Sequence, residues 1–270
     1  MWRNANRLFR GLVISILIFS CSDLRKAQKS QDWRIKYEIA LNFYEGKDYF
    51  RAIILFEEIL PIVRGLPEGE QIQFFYAYSH YYQKLYLLSS HYFKSFYETY
   101  SRSQLAEEAQ FMHSYSLYMD SPIYNLDQTS SREAIQAMQL FINKHPESEY
   151  LNDGTEVISK LQVKLEKKAY ERAKQYNKIG VYKSALVAFD NFRLDFPSSF
   201  YNEELGFLRI RTQYNLAKLS ISSLQEDRFK ETIKYYHEFA EKFTDSSYSS
   251  DAKNIYDDSV SRLNKIVKNN

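Results

Sequence analysis

The chain has 270 residues, 44% of them hydrophobic and 17% aromatic, with 36 basic residues against 34 acidic ones and a single cysteine, Cys21. That length buries a core without disulfide staples, and one cysteine leaves nothing to pair within the chain. The near balance of charge, with lysines interspersed among glutamates, argues against a nucleic-acid binder, which would carry a clear basic excess or stripe.

Residues 1–20 hold Arg3, Arg7 and Arg10, no acid, and then the apolar run Gly11 to Ser20, the pattern of an export signal. The run is about half the ~20 residues a helix needs to cross a bilayer. Ile18-Phe19-Ser20-Cys21 resembles a bacterial lipobox, with Ile18 for the commoner leucine and Phe19 bulkier than usual. The resemblance implies that the Cys21 thiol is acylated, the signal cut before it and the new amine acylated in turn. Several acyl chains would anchor the protein stably, where one gives only marginal binding. An ordinary secretory signal with a coincidental cysteine, or a longer uncleaved anchor, are the alternatives. Loss of three of the 36 basic residues with the signal leaves 33 against 34 acidic ones.

Residues 21–32 then read as a lipidated linker, and beyond them one helical phrase returns five times. An aromatic residue is followed three positions on by a small one, then by apolar residues four, seven and eleven further. The copies are Tyr49/Ala52/Phe56/Ile59/Val63, Tyr86/Ser89/Phe93/Phe96/Tyr100, then Ala134/Met138/Phe141/His145 with Ser131 in place of the aromatic, Tyr182/Ala185/Phe189/Phe192/Phe196 and Phe229/Thr232/Tyr236/Phe239/Phe243. Twelve residues before four of these small residues stands another, at Ala40, Ala77, Ala173 and Ser220. Small residues on consecutive helices let an antiparallel pair approach closely. The pattern resembles the tetratricopeptide repeat, a helix pair that stacks into a superhelix. With 7 glycines, 5 prolines and no alternating β-branched segments, the expected fold is all-α, an α-solenoid of five such pairs. Repeats 1–3 are expected over 33–150 and repeats 4–5 over 151–263, with a frayed polar tail over 264–270.

Ser101-Arg-Ser-Gln104 and Ser130-Ser-Arg-Glu133 have the spacing of capping boxes. Met119 to Thr129 reads as a turn-rich insertion in the third repeat, too long for an ordinary helix link. Leu151 to Lys178 reads as one helix, about 40 Å long, joining the two groups of repeats.

Catalytic chemistry is absent from the pattern. His80, His91, His113, His145 and His237 never fall at the spacing of a helical metal site, and no phosphate loop or nucleophile elbow occurs. No catalytic residue, metal or cofactor is expected. The repeat frame instead turns Tyr37, Leu41 and Tyr44 of the first repeat, and Phe74, Tyr78, Tyr81 and Tyr82 of the second, toward the concave side. Tyr170, Lys174, Asn177 and Lys178 are the fourth repeat's equivalents. An aromatic N-terminal groove suits a peptide, because tyrosines give large contact area at low entropy cost. Packing between neighbouring repeats is the other use of the same tyrosines.

Lipobox and repeats together resemble the BamD family of tetratricopeptide lipoproteins, which serve the machine that inserts β-barrels into the outer membrane. Ser121-Pro-Ile-Tyr-Asn-Leu-Asp-Gln128, Ala134-Ile and Phe141-Ile-Asn-Lys-His-Pro146-Glu-Ser148 carry the likeness in the third repeat, and Asp195-Phe-Pro197-Ser-Ser199 in the fourth. The resemblance implies a non-enzymatic scaffold held by lipid on the periplasmic face of the outer membrane. It implies that the N-terminal repeats receive the C-terminal strand of unfolded outer-membrane proteins. By the same resemblance the C-terminal repeats hold the periplasmic domains of BamA, with accessory lipoproteins as further partners. A pilotin for another envelope machine is the alternative, and a lytic transglycosylase would need a catalytic domain this length does not accommodate.

Overall fold

A computed structural model describes residues 23–269; Cys21 and the signal lie outside the described residues. All regular secondary structure among them is helical. Residues 23–29 form a short helical segment, followed by α1 (Trp33–Glu45), α2 (Tyr49–Ile59), α3 (Pro67–Tyr82), α4 (Tyr86–Thr99), α5 (Ala106–Asp120) and α6 (Thr129–Lys144). Then come α7 (Leu151–Lys178), α8 (Tyr182–Asp195), α9 (Asn202–Lys218), α10 (Ser222–Lys242) and α11 (Ser249–Asn269). Consecutive helices pack as pairs, α1 on α2 through α9 on α10.

The small residues of the repeat do what their size allows. Ala40, Ala52, Ala77, Ser89, Ala134, Ala173, Ala185 and Thr232 are buried, and the Ser89 hydroxyl donates to the Ala77 carbonyl across its pair at 3.1 Å. Larger side chains there would push the helix backbones apart. The large members of the stripe fill the core behind them: Phe56, Ile59, Phe93, Phe96, Met138, Phe141, Phe189, Phe192 and Phe239 are all buried.

The turn inside a pair recurs too. Lys47 and Lys84 stand at φ 60° and 61°, and Gly180 takes the same left-handed place at φ 76°. In each case the next residue's amide returns to the preceding helix: Asp48 to the Phe43 carbonyl at 2.7 Å, Leu85 to His80 at 2.9 Å, Val181 to Tyr176 at 3.0 Å. This left-handed cap satisfies carbonyls that the helix end would leave orphaned.

The described chain divides into two compact units, one reaching Pro122 and including Leu126–Leu161, the other comprising Ile123–Asn125 and Gln162 onward. The division falls inside α7 rather than ahead of it, because Val157 and Leu161 are buried in the first unit's core while Tyr170 and Ala173 are buried in the second's. The first unit holds two apolar clusters, around Phe56 and Ile59 and around Phe93 and Phe96.

Local expectations depart from the structure in several places. Ala27 is fully buried and Leu24 packs on the first core, so residues 23–29 of the expected linker are helical and packed against the fold. Ser220 lies beyond the end of α9, where its hydroxyl accepts from Arg228 and donates to Leu216; Ala217 takes the buried position. Neither serine box caps a helix as expected. α5 starts at Ala106, and α6 starts at Thr129 with its amide held by Asp127 at 2.9 Å while Ser130 is drawn to Asp120 at 2.6 Å. Ser131, which replaces the turn aromatic, is buried and bonds Gln128 at 2.7 Å and Ser121 at 2.6 Å, anchoring the insertion through hydroxyls. The polar C-terminus continues α11 to Asn269.

Candidate peptide-binding surface

In the first unit α1, α3 and α5 lie side by side. Tyr37 Oη donates to Gln71 Oε1 at 3.0 Å, Tyr78 donates to Glu108, and Tyr81 faces Tyr115 with ring centroids 6.4 Å apart. The periodicity that puts one residue of every helical turn on a shared face therefore sets tyrosines of successive helices against each other.

A continuous aromatic strip results. Tyr44 meets Tyr49 at 5.5 Å, Phe75 at 4.8 Å and Tyr82 at 6.3 Å. Tyr49 stacks on Tyr82 at 4.6 Å, and Tyr82 stacks on Tyr78 at 5.7 Å. Tyr81 touches Tyr82 at 5.6 Å and Tyr86 at 5.5 Å, and Tyr115 carries the strip onto α5. Tyr82 is 46% exposed, while Tyr44, Tyr49, Tyr81 and Tyr86 are half-buried. Offset and edge-on rings of this kind hold one another in place, so the surface is pre-organised.

The hydroxyls of Tyr44, Tyr78 and Tyr81 keep their protons. Burial raises Tyr81 to about 12, helped by Tyr115 and Tyr86, and burial raises Tyr44 further. Tyr78 is raised by burial and by its hydrogen bond to Glu108. The strip therefore offers apolar faces with hydroxyl groups at their edges, a chemistry suited to aromatic side chains and backbone carbonyls of an extended peptide.

The expected residues separate into surface and support. Tyr44, Tyr78, Tyr81 and Tyr82 belong to the strip. Tyr37 sits further along α1 on Gln71, and Leu41 is half-buried against the first core. Phe74 does not line the surface: it is 6% exposed, its ring 5.3 Å from Phe96 and 5.9 Å from Phe93, and it supports Tyr78 from beneath at 5.1 Å. Tyr49, Phe75, Tyr86, Tyr115 and Glu108 were missing from the expectation. Tyr49 and Tyr86 had a signal, since they hold the same place in two repeats, three residues before the small one.

The second unit's equivalent row is ionic. Tyr170 is buried, stacked on Tyr201 at 3.9 Å, and donates to Glu204 at 2.6 Å; Lys174 reaches Glu204 at 2.8 Å. Burial opposes the charge on Lys174, yet its bonds to Glu204 and Tyr170 keep its pKa raised. Asn177 accepts from Thr212 at 2.8 Å, and Lys178 is exposed. Deeper in this unit Arg209 lies over the Tyr235 ring at 3.4 Å, with Asp190 at 2.9 Å and Glu238 at 2.7 Å. The adjoining cavity of about 40 Å³ has room for little more than water, so this is a structural network. Among the described residues no group of three potential metal ligands occurs, and no helix is long and apolar enough to cross a membrane.

The YfiO family, described as outer membrane lipoprotein, matches residues 30–218. A protein of Aquifex aeolicus (strain VF5), described as a candidate outer membrane protein assembly factor BamD, is 27% identical over 265 residues, which is 97% of this chain and 85% of the relative. Two solved structures overlap weakly. The apo form of RapI is 15% identical at a TM-score of 0.39, covering 100% of this chain and 97% of its own. A kinesin-light-chain candidate of Podospora anserina with nearly identical TPR-like repeats is 12% identical at 0.33, covering 80% and 100%. Scores this low bear on neither fold nor function.

Proposed function

The chain belongs to the YfiO family of outer membrane lipoproteins, and from that premise we propose that it works as a BamD-like assembly factor whose N-terminal unit receives unfolded outer-membrane proteins. It is a non-enzymatic scaffold at the periplasmic face of the outer membrane, anchored through acylated Cys21. The observation that carries the reading is the unbroken strip Tyr44–Tyr49–Tyr82–Tyr78, continued by Tyr81, with Tyr82 open to solvent. A C-terminal strand ending in an aromatic residue lays alternate side chains on one side, and rings that bury well against tyrosine faces anchor it. The ionic row at Lys174 and Glu204 suits a folded protein partner better than an unfolded chain, and the C-terminal unit accordingly holds the periplasmic domains of BamA.

Titration of a barrel-derived C-terminal peptide tests the first half. Tyr49→Ala with Tyr82→Ala removes two stacked rings without touching the Tyr78–Glu108 bond, and a five- to tenfold or greater loss of affinity is expected, from about 1–2 kcal/mol of lost contact. Equal affinity refutes the assignment. Co-purification of BamA with the double variant, and its loss on reversing Lys174, tests the second half.

A further inference from the structure

The lipoprotein reading places acyl chains on Cys21, and the fold leaves little chain between that residue and the first core. Leu24 packs on the core around Phe56, and Ala27, three residues further, is fully buried in it. From Cys21 to Leu24 is three residues, a reach of at most about 11 Å. Gln28 Nε2 bonds Glu58 Oε1 at 3.4 Å, and the Ser30 amide bonds the Ala27 carbonyl at 3.0 Å, so the segment is fastened beside the end of α2. An anchor on so short a tether brings this edge of the first unit down to the bilayer.

The residues on that edge have the matching chemistry. Residues 23–36 carry Arg25, Lys26, Lys29, Arg34 and Lys36 against Asp23 and Asp32, in a mature chain that is otherwise close to neutral. Lys36 is paired with Glu58, and Asp32 caps α1 by accepting from the Arg34 amide at 2.9 Å; Arg25, Lys26, Lys29 and Arg34 are exposed. Among them stands Trp33, half-buried, with the Arg34 guanidinium 4.5 Å over its ring. Ile35, Ile62 and Leu66 are 41%, 54% and 40% exposed, and Ile62 and Leu66 flank the buried Val63 of the same core. A tryptophan, isolated aliphatic side chains and a cluster of lysine and arginine are the combination that partitions to a bilayer interface and favours anionic headgroups.

We propose that this edge, centred on Trp33 with Arg25, Lys26 and Lys29, is a membrane-contact face that seats the first unit on an anionic phospholipid surface. The acyl chains then act with a basic patch, and the unit is oriented on the bilayer as well as attached to it. This rests on the lipoprotein reading for the tether but not for the face itself.

Trp33 is the single tryptophan left once Trp2 goes with the signal, so its emission reports on this edge alone. The mature chain bearing Cys21→Ser, which has no acyl group, is titrated with vesicles of phosphatidylethanolamine, with and without phosphatidylglycerol. Binding only to the anionic vesicles is expected, with a blue shift of Trp33 emission and quenching by a headgroup-labelled lipid. Combining Arg25→Glu, Lys26→Glu and Lys29→Glu, all exposed positions, is expected to weaken that partition more than tenfold. Equal partition of the two proteins, or Trp33 emission unchanged on binding, overturns the proposal. Mass measurement of the envelope-extracted protein is separate: absence of acyl mass on Cys21 overturns the lipoprotein reading and leaves the vesicle result standing.

Discussion

His80 makes the first unit sensitive to acid. It lies in α3, 5% exposed, stacked on Tyr92 at 4.9 Å and edge-on to Tyr76 at 4.6 Å, and neither ring nitrogen has a hydrogen-bond partner. Burial disfavours the imidazolium and lowers its pKa from 6.5 to about 4. The unfolded chain therefore takes up a proton as pH falls through 6.5, and the folded chain does not until about 4. Stability is complete above pH 6.5, declines by about 1.4 kcal/mol per unit below it, and has lost roughly 3 kcal/mol by pH 4, where the difference levels off. Urea titrations followed by Trp33 emission, which reports on the same unit, measure this against His80→Phe. Carboxylates contribute equally to both proteins and cancel. The variant is expected to match or slightly exceed the parent at pH 7.5, since two orphaned nitrogens are gone, and to be more stable by about 2.5 kcal/mol at pH 4.5. Parallel curves for the two proteins would refute the reasoning.

Lys47→Gly and Lys84→Gly should each raise unfolding free energy by about 0.5–1 kcal/mol, the left-handed penalty of lysine less the entropy cost of glycine, and Gly180→Ala should lower it by about 1 kcal/mol, all read from denaturant midpoints. Phe93→Ala removes a fully buried ring that packs under Phe74 and Tyr78, and should cost about 3–5 kcal/mol by the same assay. Arg209→Leu removes the more buried of the two arginines that Asp190 and Glu238 share, leaving only Arg193, and loses the Tyr235 contact; because both carboxylates are partly exposed, a cost of about 2 kcal/mol is expected in the second unit's unfolding transition, and a smaller one in acid. The sign follows from Glu238, where burial acts upward but Arg209 and Arg193 hold the pKa below its ordinary value, so that this stabilisation is present above about pH 4.5 and is lost as pH falls.

The repeat was legible because its rule is simple: a buried helix face tolerates only small residues where backbones meet and only large apolar ones where they part. Ala52, Ala185, Phe56 and Phe192 obey that rule without help from neighbours. Ser220 misled because a hydroxyl of the right size, three residues out of place, matched the spacing while Ala217 did the packing. Phe74 misled for a related reason. Adjacent turns of α3 supply both the surface and its support, and which ring faces out depends on the partner helix, here Phe93 and Phe96 of α4. Glu108 could not be connected to Tyr78 from spacing alone, since the contact spans 30 residues and depends on how α5 lies beside α3. The buried Ala27 was hidden by its polar surroundings, Arg25, Lys26, Gln28 and Lys29, which are exposed while one methyl group is buried.

Site-specific photocrosslinking in growing cells tests most directly that the tyrosine strip receives unfolded barrel proteins. With a photoreactive residue in place of Tyr82, adducts to outer-membrane proteins still in transit are expected, and none from Leu140, a 65% exposed position on α6. Equal labelling from both positions, or no client adduct from position 82, would contradict a peptide site on the N-terminal unit.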